Sequence, residues 1–380
     1  MGNIIDYIKE YGNNTFLEKV FNSVDSLVLS ELSYLKFDDC VSGVDEIQKK
    51  ITLRQINELS DTQYDALFEG LLDVKSNMQL LKEAAGSKRF GNTQMVYYEN
   101  LVEPEKETQF AAMIFLLEEC CPFIAFRGTD ETLIGWKEDF NMAFLSPVPA
   151  QERAVEYMTK ITPALPQKGK FYMGGHSKGG NVAVYAAMHM KEDMQKRIRR
   201  IYSLDGPRFK EDFLEDEGYL KIAHRIKKII PQSSIIGMLL ENQEEYQVIR
   251  SSQNGILQHD PFSWIVKRGN FQYLKEVDRA AYLMDKTLNE WIQNMDDAAR
   301  EKLVNIIFDI IHTSQMTDAT EVIADWKKVF RQIMAATREQ DEETRKILWK
   351  MLKQFMRMGA KQLLTINENK DKINQKVIDS

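Results

Sequence analysis

The segment FYMGGHSKGGNVAVYAA, residues 171–187, constrains the fold of this chain more than any other. Phe171, Tyr172 and Met173 form a short apolar run suited to a buried strand end. From Gly180 onward, Val182, Val184, Ala186 and Ala187 continue as a helix. Between them, Gly175-His176-Ser177-Lys178-Gly179 matches G-x-S-x-G. A strand that turns sharply into a helix through this pattern is a nucleophile elbow, with Ser177 as the nucleophile. The reason is steric. The serine sits in a strained backbone conformation, where bulky flanking residues would strike the neighbouring strand and helix. Gly175 and Gly179 remove those clashes. The helix N-terminus then faces the site and favours negative charge there. Two other glycine-rich turns are excluded. A P-loop needs Lys and Ser or Thr at positions 180 and 181, which hold Gly180 and Asn181. A dinucleotide turn fails because His176 and Ser177 follow Gly175. The plainer alternative is a glycine-rich turn that binds something else.

The surrounding pattern divides the 380 residues into regions. At roughly 100–200 residues per domain, this length suits two domains or one large domain with an appendage. Residues 1–90 read as an N-terminal helical segment packed on the core. Phe16, Val20, Phe21, Val24 and Leu27 recur at helical spacing, and Ser60-Asp61 cap a helix through Tyr64, Leu67, Leu71 and Leu72. Residues 91–274 carry short apolar runs: QMVYYENLV, QFAAMIFLL, CPFIAFRG, KFYMGG, RIYSL and IKKIIP. Helices are expected between several of them, over 151–162, 180–191 and 210–224, and EYQVIRSS (245–252) reads as a final strand. This alternation predicts an α/β fold: a mostly parallel, doubly wound sheet flanked by helices. Residues 275–366 show helical periodicity only, with four helices predicted over 277–293, 297–313, 318–338 and 342–364. That layout suits a C-terminal helical bundle. Asp318 with Glu321 resembles a capping box, and Ile347, Met351, Phe355 and Met358 form an apolar stripe. Ordinary bundle core is the plain reading of that stripe, with a partner or lipid surface as the alternative; the bundle as a whole is expected to pack ordinarily, with a lid, a homo-oligomer contact or a partner site as its alternatives. Residues 367–380 form a polar tail.

Charge narrows the function classes. Fifty basic and 57 acidic residues give a net charge of −7, which argues against a general nucleic-acid binder. The basic stretch at 191–200 reads as a solvated helix end. Cys40, Cys120 and Cys121 imply no disulfide framework and lack zinc spacing, so no metal is expected. The start MGNIIDYIKE is not a signal peptide, and Asp6 stands where a myristoylation signal wants Ser or Thr. No apolar run approaches the roughly 18–20 residues of a membrane span. A cytoplasmic location is expected.

A hydrolase also needs N–H donors aimed at a developing oxyanion. One comes from the residue after the nucleophile, Lys178. Phe126-Arg127-Gly128-Thr129-Asp130 follows an apolar strand and places Gly128-Thr129 for the other. The alternative there is a simple turn with Arg127 in a salt bridge.

IAFRGT, then Trp136-x-x-Asp139, GGHSKGG and LDGPRF occur in that order. The ordered set resembles the class-3 lipase branch of the α/β-hydrolases over roughly residues 93–265, and it looks like a bacterial branch with added helical regions. The resemblance implies hydrolysis of carboxylic esters, lipid esters among them, without a metal or organic cofactor. It implies Ser177 as nucleophile, with Thr129 and Lys178 at the oxyanion hole. Lys178 departs from the family's usual Leu.

Chain order in this fold is serine, acid, histidine. His176 adjoins Ser177 and is expected to point elsewhere. His189 lies on the elbow helix, His224 precedes a strand, and His312 lies in the predicted bundle. His259, in a loop after the last predicted strand, remains as the base. The lipase pattern puts the acid after RIKKII, where Pro231-Gln232-Ser233-Ser234 offers none. Asp205, at the end of the preceding strand, is the substitute, with a turn-forming role in Asp-Gly-Pro as the alternative. Asp260 is the runner-up acid, and Ser233 and Ser234 are expected to orient the histidine or line the pocket. The expected chemistry is ester hydrolysis through an acyl-enzyme, failing at acid pH as His259 protonates. An acyltransferase or thioesterase with the same residues, or a non-catalytic binding protein on the same fold, are the rivals.

Overall fold

The structure is a computed structural model. It describes residues 2–278 except 48, 72, 104, 106–107, 130–141, 143–146, 166–168, 210, 235 and 239–244, together with 342 and 346. The chain divides into two compact units, Met1–Asp297 and Ala298–Ser380. In the second, Lys346 and Glu342 form an exposed ion pair one helical turn apart. The predicted C-terminal helices, the Ile347–Met358 stripe, the polar tail, His312 and the Trp136-x-x-Asp139 motif lie outside the described residues.

In the first unit one sheet runs in the order β1 (Ile51–Thr52), β2 (Gln94–Glu103), β3 (Thr108–Leu116), β4 (Phe123–Phe126), β5 (Phe171–His176), β6 (Ile198–Leu204), β7 (Ile226–Pro231), β8 (Tyr246–Ile249) and β11 (Tyr273–Leu274). β9 (Val266–Lys267) and β10 (Asn270–Phe271) form a separate small hairpin. From β4 to β8 the strands pair in parallel. The β1, β2, β3 and β4 ladders and the β8–β11 ladder are antiparallel. The links from β2 to β3 and from β3 to β4 are too short for a crossover, so these pairs can only reverse direction. The parallel centre, reached through helices, is the α/β-hydrolase-type arrangement.

Alternate residues of the central strands feed two different cores. Phe123, Ala125 and Tyr172 pack under the N-terminal helices. Ile124, Phe126, Phe171 and Met173 pack under the helices Pro149–Ile161 and Lys178–Met188. This period of two is the pleat of a strand buried on both faces. On the N-terminal side, α1 (Ile4–Tyr11) lies over α2 (Ser23–Leu32), and α2 packs against β4, β5 and β6. All ten residues of α2 are buried, including Ser23, Asp25, Ser26, Ser30 and Glu31. Most of these polar groups are satisfied. Ser26 and Ser30 hydroxyls donate to carbonyls within the helix. Asp25 accepts two bonds from the buried Arg89 guanidinium, each 2.7 Å, and one from Tyr7. Glu31 Oε1 has no hydrogen-bond partner among the described residues.

Several predicted elements have different limits. The apolar set from Phe16 to Leu27 is not one helix. Asn22 and Asp25 form a capping box that starts α2 at Ser23, leaving Val20 73% exposed in the preceding turn. The helix capped by Ser60 stops at Ala66, so Leu71 lies beyond it. The predicted helix over 210–224 is a 3-10 turn, a short helix begun by the Asp216 cap (Glu217–Ile222), and a second 3-10 turn. β8 is not the final strand, because the chain returns as β11 along its outer edge.

Candidate active site

β5 delivers the chain to a sharp turn, and the elbow helix Lys178–Met188 leads away from it. Ser177 between them has φ 56 and ψ −136, a strained conformation for a residue with a Cβ. Gly175 and Gly179 make the turn possible by close approach. A Cβ on either would come within 2.3 Å or 2.1 Å of the Phe126 carbonyl at the end of β4. Sheet and elbow helix are thus pressed together at the strand ends, where open α/β sheets carry their ligands.

Three residues far apart in sequence meet there. His259 Nε2 lies 2.9 Å from Ser177 Oγ, and His259 Nδ1 lies 2.6 Å from Asp205 Oδ2. A carboxylate can only accept, so Nδ1 carries the proton and Nε2 is left to accept from the serine hydroxyl. Asp205 follows β6, is fully buried, and also has positive φ, at 52. Its second oxygen, Oδ1, accepts from Ser234 Oγ at 2.5 Å, and Gly237 N–H donates to that hydroxyl. Ser234 therefore touches the acid rather than the histidine. Ser233 binds Gln258 and Asp278 instead. Asp260 caps the turn at Pro261–Ser263 by accepting from Phe262 N–H, and Asp205 occupies the place opposite His259 Nδ1. His189 is stacked on Tyr185, and His224 lies in the 3-10 turn that leads into β7.

Lys178 opens the elbow helix beside Ser177, and its buried ammonium donates to the Gln109 carbonyl on β3. A cation on this internal anchor occupies the place of the usual Leu. Thr129 stands three residues beyond β4. Arg127 donates to Asn100, which itself binds Asp38, so this arginine is held by an amide. Gly128 has no room for a side chain: a Cβ would lie 2.1 Å from the Tyr34 hydroxyl and 2.6 Å from the His176 carbonyl.

The sequence expectations missed a second set of contacts. His176 does turn away from Ser177, but its ring lies 4.7 Å from the His259 ring, and its Nε2 is 3.0 Å from the His259 carbonyl. On its other side, Tyr34 Oη is 3.3 Å from His176 Nδ1. Glu31 Oε1 is 3.4 Å from the same nitrogen, without hydrogen-bond geometry. Burial holds the Glu31 carboxyl well above its ordinary range, and the charge of Asp260 adds to that. Burial also pushes the His176 imidazole well below its ordinary value, helped by the nearby His259. One signal was available: Glu31 is an acidic residue near the C-terminal end of a wholly buried helix.

No curated protein matches the chain. Among solved structures, the crystal structure of M37 lipase is similar at 15% identity, with a TM-score of 0.32 over 56% of this chain and 68% of that one. Among the described residues no helix is long and apolar enough to cross a membrane. The mostly parallel sheet flanked by helices, with its strand–turn–helix elbow, is of the α/β-hydrolase type. The Mbeg1-like family model matches residues 84–309, more than half of the chain, and the chain belongs to the Mbeg1-like family.

Proposed function

We propose that this protein is a serine hydrolase of carboxylic esters, acting on small-molecule or lipid esters through Ser177, His259 and Asp205. The observation that carries this reading is the unbroken line Asp205–His259–Ser177, with bonds of 2.6 and 2.9 Å, on a strained elbow. His259 Nε2 takes the Ser177 proton as Oγ attacks the ester carbonyl. The tetrahedral oxyanion forms against the N–H groups of Lys178 and Thr129, each donor worth about 3–4 kcal/mol in well-studied cases. The imidazolium, steadied by Asp205, gives its proton to the leaving alcohol, and an acyl-enzyme remains. Water, activated by His259 in turn, releases the acid and restores the serine. No step calls on a metal or organic cofactor.

The test is a fluorophosphonate incubation with the adduct mapped by mass spectrometry, alongside Ser177→Ala, His259→Ala and Asp205→Asn. A label on Ser177 that is lost or slowed at least about 100-fold in the variants supports the reading. A folded wild-type protein that takes no label overturns it.

A further inference from the structure

We propose that His176 is a positioning residue for this chemistry: its Nε2–H holds the His259 main chain, and Tyr34 of the N-terminal segment orients it. The inference rests on the serine-hydrolase reading and assigns work to a histidine that does not touch the reacting atoms.

The protonation pattern follows from the partners. The His259 carbonyl, 3.0 Å from His176 Nε2, can only accept, so the proton of His176 sits on Nε2. The ring is neutral, because burial and the neighbouring His259 oppose a charge. Nδ1 is then an acceptor, and the Tyr34 hydroxyl at 3.3 Å is its donor. Glu31 Oε1 lies 3.4 Å from the same nitrogen without hydrogen-bonding it, and burial raises its carboxyl well above the ordinary range. A neutral carboxyl here costs far less than a buried carboxylate facing a neutral ring.

His259 sits in the short 3-10 turn Gly255–His259, where little regular structure fixes the backbone. Contacts from outside hold that turn. His176 takes the His259 carbonyl. Trp264 Nε1–H donates to the Gln258 carbonyl at 2.8 Å, and the Gln258 amide oxygen accepts from Ser233 N–H. Trp264 also packs edge-on against His176, with centroids 5.9 Å apart. Asp205 and Ser177 fix the imidazole tip, and His176 fixes its base. A base loosened by about 1 Å loses the near-attack geometry, at a cost of up to about 100-fold in rate. The position in G-x-S-x-G that precedes the serine thereby ties the elbow to the histidine loop. The N-terminal helices supply part of that tie as well as cover for the sheet.

The experiment compares the phosphonylation kinetics of wild type, His176→Leu, His176→Gln and Tyr34→Phe. Leu keeps bulk but has no donor, whereas the Gln amide can reach the same carbonyl. Maximal labelling rate in His176→Leu should fall about tenfold or more with the inhibitor constant unchanged, and His176→Gln should recover most of it. Tyr34→Phe, which leaves the elbow intact, should show a smaller fall of the same kind. In parallel, the downfield Nδ1–H proton resonance of His259, sharp in wild type, should broaden in His176→Leu. Full-rate labelling and an unchanged resonance in folded His176→Leu would overturn the proposal. If that variant does not fold, Tyr34→Phe decides by the same two readouts. Absence of label on the wild type itself would instead remove the hydrolase reading, and the resonance would still report whether His176 positions His259.

Discussion

Asp205 is gripped from two sides, and the two grips differ in kind. His259 Nδ1–H occupies Oδ2, while the Ser234 hydroxyl occupies Oδ1. The second bond keeps a fully buried carboxylate solvated by protein and fixes its plane. Ser234→Ala leaves one oxygen without its donor. Labelling of Ser177 should slow about 3- to 30-fold, with the native fold retained by circular dichroism; an unchanged rate would show that His259 alone orients the acid. At Gly128 the constraint is volume. Gly128→Ala drives a methyl into the Tyr34 hydroxyl, the far end of a side chain, and into the His176 carbonyl, which is backbone and cannot retreat cheaply. Melting temperature and labelling rate should fall together, and Tyr34→Phe in the same chain should relieve part of the melting loss by removing the nearer oxygen.

At the scale of elements, α2 has a double burden. It fills the space beneath β4, β5 and β6, and its C-terminal end carries Glu31 and Tyr34 to the end of β5. Its placement depends on Arg89 and Asp25, whose side chains are wholly buried. The guanidinium also reaches the carbonyls of Asn14, Thr15 and Lys19, tying the turn before α2 to the helix. Arg89→Met would bury Asp25 without its cation and should cost about 3–5 kcal/mol in urea unfolding. Removing both charges, as in Arg89→Met with Asp25→Leu, should restore much of that loss. A double variant no more stable than the single one would assign Arg89 its main role at the three carbonyls instead.

For the molecule as a whole, the two buried titratable groups behind the site pull stability in opposite directions with pH. Glu31 faces His176 and Tyr34, with Asp260 the charged neighbour, and its carboxyl is held above the ordinary value of 4.5. A raised acid contributes stability that is complete below the unfolded value and is lost as pH rises through the folded one. Glu31→Gln cannot titrate, so it should gain on the wild type as pH rises above 4.5, by on the order of 1 kcal/mol per pH unit until the native carboxyl ionises. Urea unfolding at pH 5 and pH 8 measures this, and an equal difference at both would refute it. His176 acts oppositely. Its value lies below the ordinary 6.5, so its contribution is present above that pH and is lost as pH falls towards the folded value.

The local order of residues was enough to establish the elbow and the alternating centre of the sheet. Both follow from near-neighbour physics: glycines that allow close approach, apolar runs of strand length, and helices long enough to cross over. Ser177 was legible as the elbow serine for that reason; elimination within the chain order left His259, whereas Asp205 entered only as a substitute for an acid the expected strand end lacks, with Asp260 as runner-up. Local order also misled in places. The apolar spacing from Phe16 to Leu27 suggested one helix, but the Asn22–Asp25 cap starts a new one. The apolar runs of β2 and β3 did not reveal that these strands pair antiparallel, since strand direction is set by the reach of the links. What only tertiary structure decided is how remote segments converge. Ser234 reaches Asp205 across 29 positions, and Tyr34 meets His176 across 142. No periodicity records such contacts, because burying a polar side chain fixes only that it needs a partner, while the packing of sheet on helix fixes which one it finds.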